Sequence, residues 1–480
     1  MLNVLRVPLL LGSAAAVLLL ARAGPRRPAG RVGSRAPCRV HKVVVIGAGF
    51  GGLAAAQALA GRPGVELTVL DRHNHHLFQP LLYQVATAAL SQDEIASPVR
   101  TLFAGKPRTR VLMEAVTGID TAARDVVCGS RRVPYDTLIV ATGSQPSYFG
   151  HDDWEAVAPG LKTLDDALVL RQRILGAFEQ ATLPENGPAE RARLLTFVLV
   201  GGGATGVEMA GSIAELARDT ISYDYGGKTG VKVRVVIVEG GPRILDGFAP
   251  DLSARAVRDL QDMGIEVRTG AKVTDIQPGA VHIGEEVIHA ETIIWTAGVT
   301  STPAASWMGV EPAKGGRVAV GPDLQVPGQP GIYVIGDAAL PPAPGGKPLP
   351  GVAPVAKQQG GYVARAIRRR LRGRTRARPF GYRDPGTLAT IGRNKAVAEF
   401  GPVHLTGFVA WITWAVAHIF FLIGYRNRIL VSAQWLLSYV TRERGGRVIV
   451  GAAGQGRLPV RSAGQHPNNT SVTLESAATR

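Results

Sequence analysis

VVVIGAGFGG, residues 43–52, decides the fold. An apolar run ends in Gly47, Gly49 and Gly52 at G-x-G-x-x-G spacing, the pattern of a strand that turns sharply into a helix. The first glycine allows the turn, the second lets backbone approach a pyrophosphate, and the third lets the helix pack close on the sheet. The pyrophosphate is then left on a helix N-terminus. One such match is weak, because glycine-rich turns are common. The chain repeats it: FVLVGGGATG, residues 197–206, places Gly201, Gly203 and Gly206 after a second apolar run. The pair predicts an α/β protein with two Rossmann-like dinucleotide-binding domains, holding two dinucleotides at once.

Each fingerprint is followed by a second strand that ends in an acid. VELTVLDR supplies Asp71 and VKVRVVIVEGG supplies Glu239, the expected ribose-binding carboxylates. Gly52 to Asp71 is close to the ~20 residues the motif wants. Gly206 to Glu239 is longer, and the polar SYDYGGKTG stretch reads as a surface loop that accounts for the excess. A carboxylate at Glu239 accepts from the 2′-hydroxyl of NADH and repels the 2′-phosphate of NADPH, so NADH preference is expected.

Three further pieces complete the constellation: YDTLIVATGS with Ala141, Thr142 and Gly143; IIWTAG with Thr296, Ala297 and Gly298; and GIYVIGDAA with Gly336 and Asp337. In this order they resemble the two-dinucleotide-binding flavoproteins, over about residues 41 to 450. The resemblance implies non-covalent FAD on the first fingerprint, with Asp337 at the flavin ribityl and pyrophosphate region, and NADH on the second. Within that superfamily, DRHNHHLFQPLLYQVATAALS, LPGVAPVAKQQGGYVA and FGYRDPGTLATIGRNKAVAEF, followed by an aromatic, apolar tail, resemble the type II NADH dehydrogenases. These are single-subunit, non-pumping NADH:quinone oxidoreductases. The resemblance implies backbone N–H groups of Val355 and Ala356 near the flavin carbonyl, and Gln358 and Gln359 between flavin and quinone; Pro354 stands where many members carry a glutamine. It also implies that Glu208, two residues past Gly206, faces the nicotinamide and tunes hydride or proton movement, beside the plainer reading that it caps its own helix. Lys357 is read as stabilising charge on reduced flavin or, more plainly, as a surface lysine.

Composition fits. The 480 residues exceed one ordinary core, and 46% hydrophobic content fills two or three domains. The two cysteines, Cys38 and Cys128, form no CxxC, which argues against a dithiol relay, including the redox-cysteine chemistry of sulfide:quinone oxidoreductases. No zinc pattern occurs, and the HNHH cluster at His73, His75 and His76 directly follows the ribose acid, so no metal is expected. The net charge of +17 is concentrated beside apolar segments, at residues 22–42, in RAIRRRLRGRTRAR and in GYRNR. That placement suits an anionic membrane surface, and with no nucleic-acid-reading motif present nucleic-acid binding is set aside.

The expected organisation is an apolar anchor or targeting segment with a basic linker at 1–39, an FAD-binding domain in two parts at 40–159 and 296–395, an NADH-binding domain at 160–295, a membrane-anchoring and quinone-side segment at 396–450, and a disordered tail at 451–480. DDALVLRQRILGAFEQA reads as the helix leading into the second unit. The N-terminal run fits an anchor that keeps the enzyme on the cytoplasmic face, an organellar presequence or an overextended start. HLTGFVAWITWAVAHIFFLIGY carries no Lys, Arg, Asp or Glu and is long enough for a transmembrane helix. Its Trp and Tyr residues and the following RNRILVSAQWLLSYVTRERGGR favour a helix pair lying in one leaflet. The expected activity is FAD-dependent oxidation of NADH by a membrane quinone. A soluble ferredoxin- or rubredoxin-type reductase and a slow-turnover, membrane-bound redox sensor are the alternatives, and a homodimer stays open.

Overall fold

The structure is a computed structural model that describes residues 40–221, 232–342, 348–374, 378–442 and 444–449. The N-terminal segment, the SYDYGGKTG stretch and the tail at 451–480 lie outside the described residues.

Five parallel strands form the first sheet, in the order Ile332–Val334, Thr137–Val140, His41–Ile46, Val65–Asp71 and Thr109–Met113. Val43, Val45, Leu67, Val69, Leu138 and Ile139 are fully buried, so both sheet faces are covered, as a parallel sheet requires. Each such side chain contributes roughly 1.5–3 kcal/mol of burial. Four parallel strands form the second sheet, in the order Ile265–Arg268, Arg234–Val238, Thr196–Val200 and Thr292–Trp295. The strand ending at Ile46 leads into helix Phe50–Leu59, and the strand ending at Val200 into helix Ala204–Glu215. Helix Leu164–Ala181 enters the second unit through a capping box in which Thr163 and Asp166 satisfy each other's backbone N–H groups.

Helix Ala353–Arg370 crosses the first fingerprint helix closely: a Cβ at Gly360 would overlap the Gly51 carbonyl oxygen. Pro354 sits in its first turn, where no N–H is needed to close the helix. A three-stranded antiparallel sheet, Thr387–Gly392, Lys395–Phe400 and Val403–Thr406, then packs on helix Ala204–Glu215, where a Cβ at Gly211 would overlap the Ile391 carbonyl.

The apolar run after His404 is not one span. Leu405 and Thr406 pair with Ala398 and Val397 in the sheet, helix Gly407–Phe421 is 15 residues long, and Gly424 at φ +90° turns the chain into helix Tyr425–Thr441. Fifteen residues reach about 22 Å, short of the ~30 Å hydrocarbon core. Among the described residues no helix is long and apolar enough to cross a membrane, so the transmembrane expectation is corrected. Past the second tail helix the chain returns to the body. The buried Arg444 guanidinium donates to the Thr87 carbonyl at 2.9 Å and the Ser212 hydroxyl at 3.1 Å, and pairs with Glu215. Arg393 ties the end of that helix by donating to the Ser438 and Tyr439 carbonyls at 2.7 and 2.9 Å.

Candidate functional site

The two fingerprints are built alike. Gly47 and Gly201 adopt φ +96° and +114°, which L side chains rarely take. A Cβ at Gly52 would overlap the Gly47 carbonyl oxygen, and one at Gly206 the Gly201 carbonyl oxygen. Gly49 and Gly203 differ: a Cβ there would meet no protein atom within 4 Å. The fold needs the first and third glycines for itself, while the second leaves space above a helix N-terminus, which is where a pyrophosphate fits. The acids match too. Asp71 accepts from the Ala48 N–H at 2.6 Å and Glu239 from the Gly202 N–H at 2.7 Å, so each carboxylate is fixed beside its own glycine turn.

Gly47, Gly49, Asp71, Ala141, Thr142, Gly143, Gly336 and Asp337 line one cavity of about 2560 Å³. That is well above the ~300–1,000 Å³ of a single drug-sized ligand pocket, so there is room for FAD and a second molecule. Glu208 from the second fingerprint helix, Ala356, Lys357 and Gln358 from helix Ala353–Arg370, and His418 and Phe421 from the first tail helix line the same cavity. The second glycine cradle lies beside it: Gly201 abuts Ala297, and Thr296 donates to the Val200 and Gly201 carbonyls at 2.9 and 2.8 Å. Gly298, at φ +77°, faces the Phe149 ring.

Two predicted residues stand behind the cavity wall. Val355 is core, and the buried Gln359 side chain accepts from the Gly336 N–H at 2.6 Å, bracing the turn that carries Asp337. Gln358 does line the cavity, holding the Arg383 backbone at both its N–H and its carbonyl, at 3.0 and 2.7 Å. The surface reading of Lys357 is corrected: its ammonium lies 4.8 Å from the Phe421 ring centroid, and burial and Arg428 lower its pKa.

Glu208 does not cap its own helix. Its carboxyl accepts from the Thr390 N–H at 3.4 Å, from the neighbouring sheet, and burial raises its pKa to about 8, with Thr390 and Trp414 opposing. It is therefore protonated at neutral pH. The HNHH side chains diverge: His76 bonds the Ala48 carbonyl at 2.7 Å, His75 bonds Asn74 at 3.1 Å, and His73 lies 3.6 Å from Asp71.

Sequence reasoning missed four wall residues. His418 donates from Nδ1 to the Trp414 carbonyl at 2.7 Å, and burial lowers its pKa to about 4. The hydroxyl of Tyr83, beside Glu208, accepts from the Gln84 amide at 2.9 Å. Lys162 donates to Ser144 at 3.3 Å, and Ser144 to Asp337 at 2.7 Å. The one local signal was that Ser144 directly follows the Ala141-Thr142-Gly143 turn and Lys162 directly precedes a capping box.

The Pyridine nucleotide-disulphide oxidoreductase family matches residues 41–360, and the NDH2 C-terminal domain matches residues 385–443. The chain is 42% identical over 424 residues to the type II NADH:quinone oxidoreductase Ndh of Mycobacterium tuberculosis, covering 85% of this chain and 90% of that protein. It is 40% identical over 454 residues to NdhA of the same organism, covering 91% and 95%. NDH2 from Plasmodium falciparum, solved in complex with NADH, superposes with a TM-score of 0.78 at 21% identity, covering 86% of this chain and all of that one, a likeness of fold.

Proposed function

The chain belongs to the type II NADH:quinone oxidoreductases, and from that premise we propose how its residues divide the work. It is a FAD-dependent enzyme that oxidises NADH and reduces a quinone without pumping protons. When bound, FAD would supply the redox chemistry that links two-electron oxidation of NADH to reduction of the quinone. Gly49 and Asp71 hold its pyrophosphate and ribose in the turn that Gly47 and Gly52 make possible, Ala141, Thr142, Gly143, Gly336 and Asp337 line its flavin half, and Ala356 lines the same cavity. Gly201, Gly203, Gly206, Glu239, Ala297 and Gly298 hold NADH. Val355 and Gln359 act from behind, fixing that helix and the Asp337 turn. Glu208 keeps a proton at neutral pH for delivery to the quinone, and Lys357 and Gln358 wall the quinone end with the tail helix. The domain division at 40–159, 160–295, 296–395 and 396–450 belongs to the same reading.

One observation carries this reading: the first fingerprint, Glu208 of the second, and the apolar first tail helix wall a single cavity. NADH oxidation by the purified protein with ubiquinone and menaquinone analogues, compared with ferricyanide and alongside the flavin spectrum, tests it. Rapid quinone-dependent turnover with bound FAD is expected; reduction of ferricyanide without reduction of any quinone would refute the acceptor.

Glu239, held by the Gly202 and Gly241 N–H groups, presents negative charge where NADPH carries its phosphate. NADH is expected to exceed NADPH in kcat/KM by at least about tenfold, the equivalent of one uncompensated contact of ~1.4 kcal/mol. Steady-state kinetics with both nucleotides decides it.

We further propose that the tail helices dock on the cytoplasmic face of a membrane. Phe420, Leu436 and Val440 are 67%, 67% and 73% exposed, and Arg426 and Arg428 flank them. Burying each apolar side chain is worth roughly 1.5–3 kcal/mol. The double variant Phe420→Glu, Leu436→Glu should therefore float with anionic vesicles at least about tenfold more weakly than wild type. Equal flotation would remove this face from membrane binding.

A further inference from the structure

Reduction of bound FAD by hydride would place one negative charge on the flavin, which a cation near the flavin half would stabilise. Four Lys or Arg side chains line it: Arg72, Lys162, Arg173 and Lys357. Arg72 follows the ribose acid Asp71, Arg173 is spent on the Ala156 and Val157 carbonyls at 2.9 and 2.7 Å, and Lys357 lies over Phe421 on the tail side. Lys162 is different. Its backbone is clamped, the N–H donating to Asp166 at 3.0 Å and the carbonyl accepting from Gln79 at 3.3 Å. Its ammonium has three donors, and among the described residues its one hydrogen bond is to the Ser144 hydroxyl at 3.3 Å. Ser144 in turn donates to Asp337 at 2.7 Å. No carboxylate lies within ion-pair distance of that ammonium among the described residues. A part-buried ammonium with open donors on a cavity wall carries a desolvation cost that a ligand acceptor would offset.

We propose that Lys162, steered by Ser144 and Asp337, is the fixed cation that stabilises the charge gained by bound FAD on reduction, and so sets the flavin's reduction potential. The pyrophosphate is the competing target, but the helix N-terminus at Gly49 already serves it. Burial lowers the Lys162 pKa and Asp337 raises it, which fits an amine held in place by its acid.

The inference rests on the FAD site proposed above, which the wild-type flavin spectrum tests separately. The experiment is a dye-equilibrated reductive titration of flavin-loaded wild type, Lys162→Met, Lys162→Gln and Lys162→Arg, with FAD content measured for each. Loss of the charge should shift the oxidised-to-reduced ratio at fixed potential at least tenfold, about 30 mV downward for a two-electron couple, and arginine should restore most of it. An unchanged potential in flavin-loaded Met or Gln protein overturns the proposal. So does loss of FAD from both, which would make Lys162 an anchor of the cofactor instead.

Discussion

Gly49→Val is expected to leave a folded protein that no longer keeps its flavin. A Cβ at Gly49 meets no protein atom within 4 Å, so the unliganded melting temperature should stay near that of wild type. The same side chain projects into the space above the helix N-terminus where the FAD pyrophosphate must sit. Overpacking a close contact costs roughly 1–3 kcal/mol, so FAD affinity should fall about ten- to a hundredfold or more. Gly52→Ala should fail differently, because its Cβ would overlap the Gly47 carbonyl and prevent the turn itself. Circular dichroism melts of flavin-stripped protein beside FAD titrations separate the two. A Gly49→Val protein that copurifies with full flavin would mean that the first cradle does not hold the pyrophosphate.

Glu208→Gln carries the second large effect. A carboxyl whose pKa stands at about 8 holds its proton at neutral pH and can give it up, which the isosteric amide cannot. Loss of a positioned proton donor costs about 10²–10⁴-fold, so quinone-dependent kcat should drop by that order and its alkaline limb near pH 8 should vanish. Stability moves the other way. Between the ordinary value of 4.5 and about 8, the folded protein keeps a proton the unfolded chain has lost, so wild-type stability falls as pH rises through that window. The slope is about 1.4 kcal/mol per pH unit, and glutamine removes it. Wild type and variant should therefore diverge in denaturant midpoint at pH 8–9, with the variant higher. Parallel curves with unaltered turnover would return Glu208 to a purely structural role.

The fingerprints were legible because their physics is local: a glycine turn, an adjacent helix start and an acid at the end of the next strand are all written within a few dozen residues. Both sheets and the cradles of Gly47 and Gly201 follow from such runs. The helix pair after His404 was legible from its aromatic and basic residues, but the length that also allowed one span was misleading, because hydropathy counts residues and cannot see that Leu405 is committed to a strand or that Gly424 turns the helix away. Gln359 looked like its neighbour Gln358, yet consecutive helix positions face different ways, and one braces the Gly336 turn while the other lines the cavity. Lys162 and Ser144 lie in neighbouring segments, but Asp337 is far away in sequence and only the folded chain brings it to them.

The Arg444 anchorage bears on how the enzyme can meet a membrane. The tail helices enter from the antiparallel sheet at Thr406 and leave into the buried contacts of Arg444 with Thr87, Ser212 and Glu215. Such a segment is a beam supported at both ends, and it has no free end on which to swing like a flap. Lipid contact of the kind proposed for these helices would be passed through both supports to the cavity they wall, and the separation of bilayer from flavin would then be set by the fold.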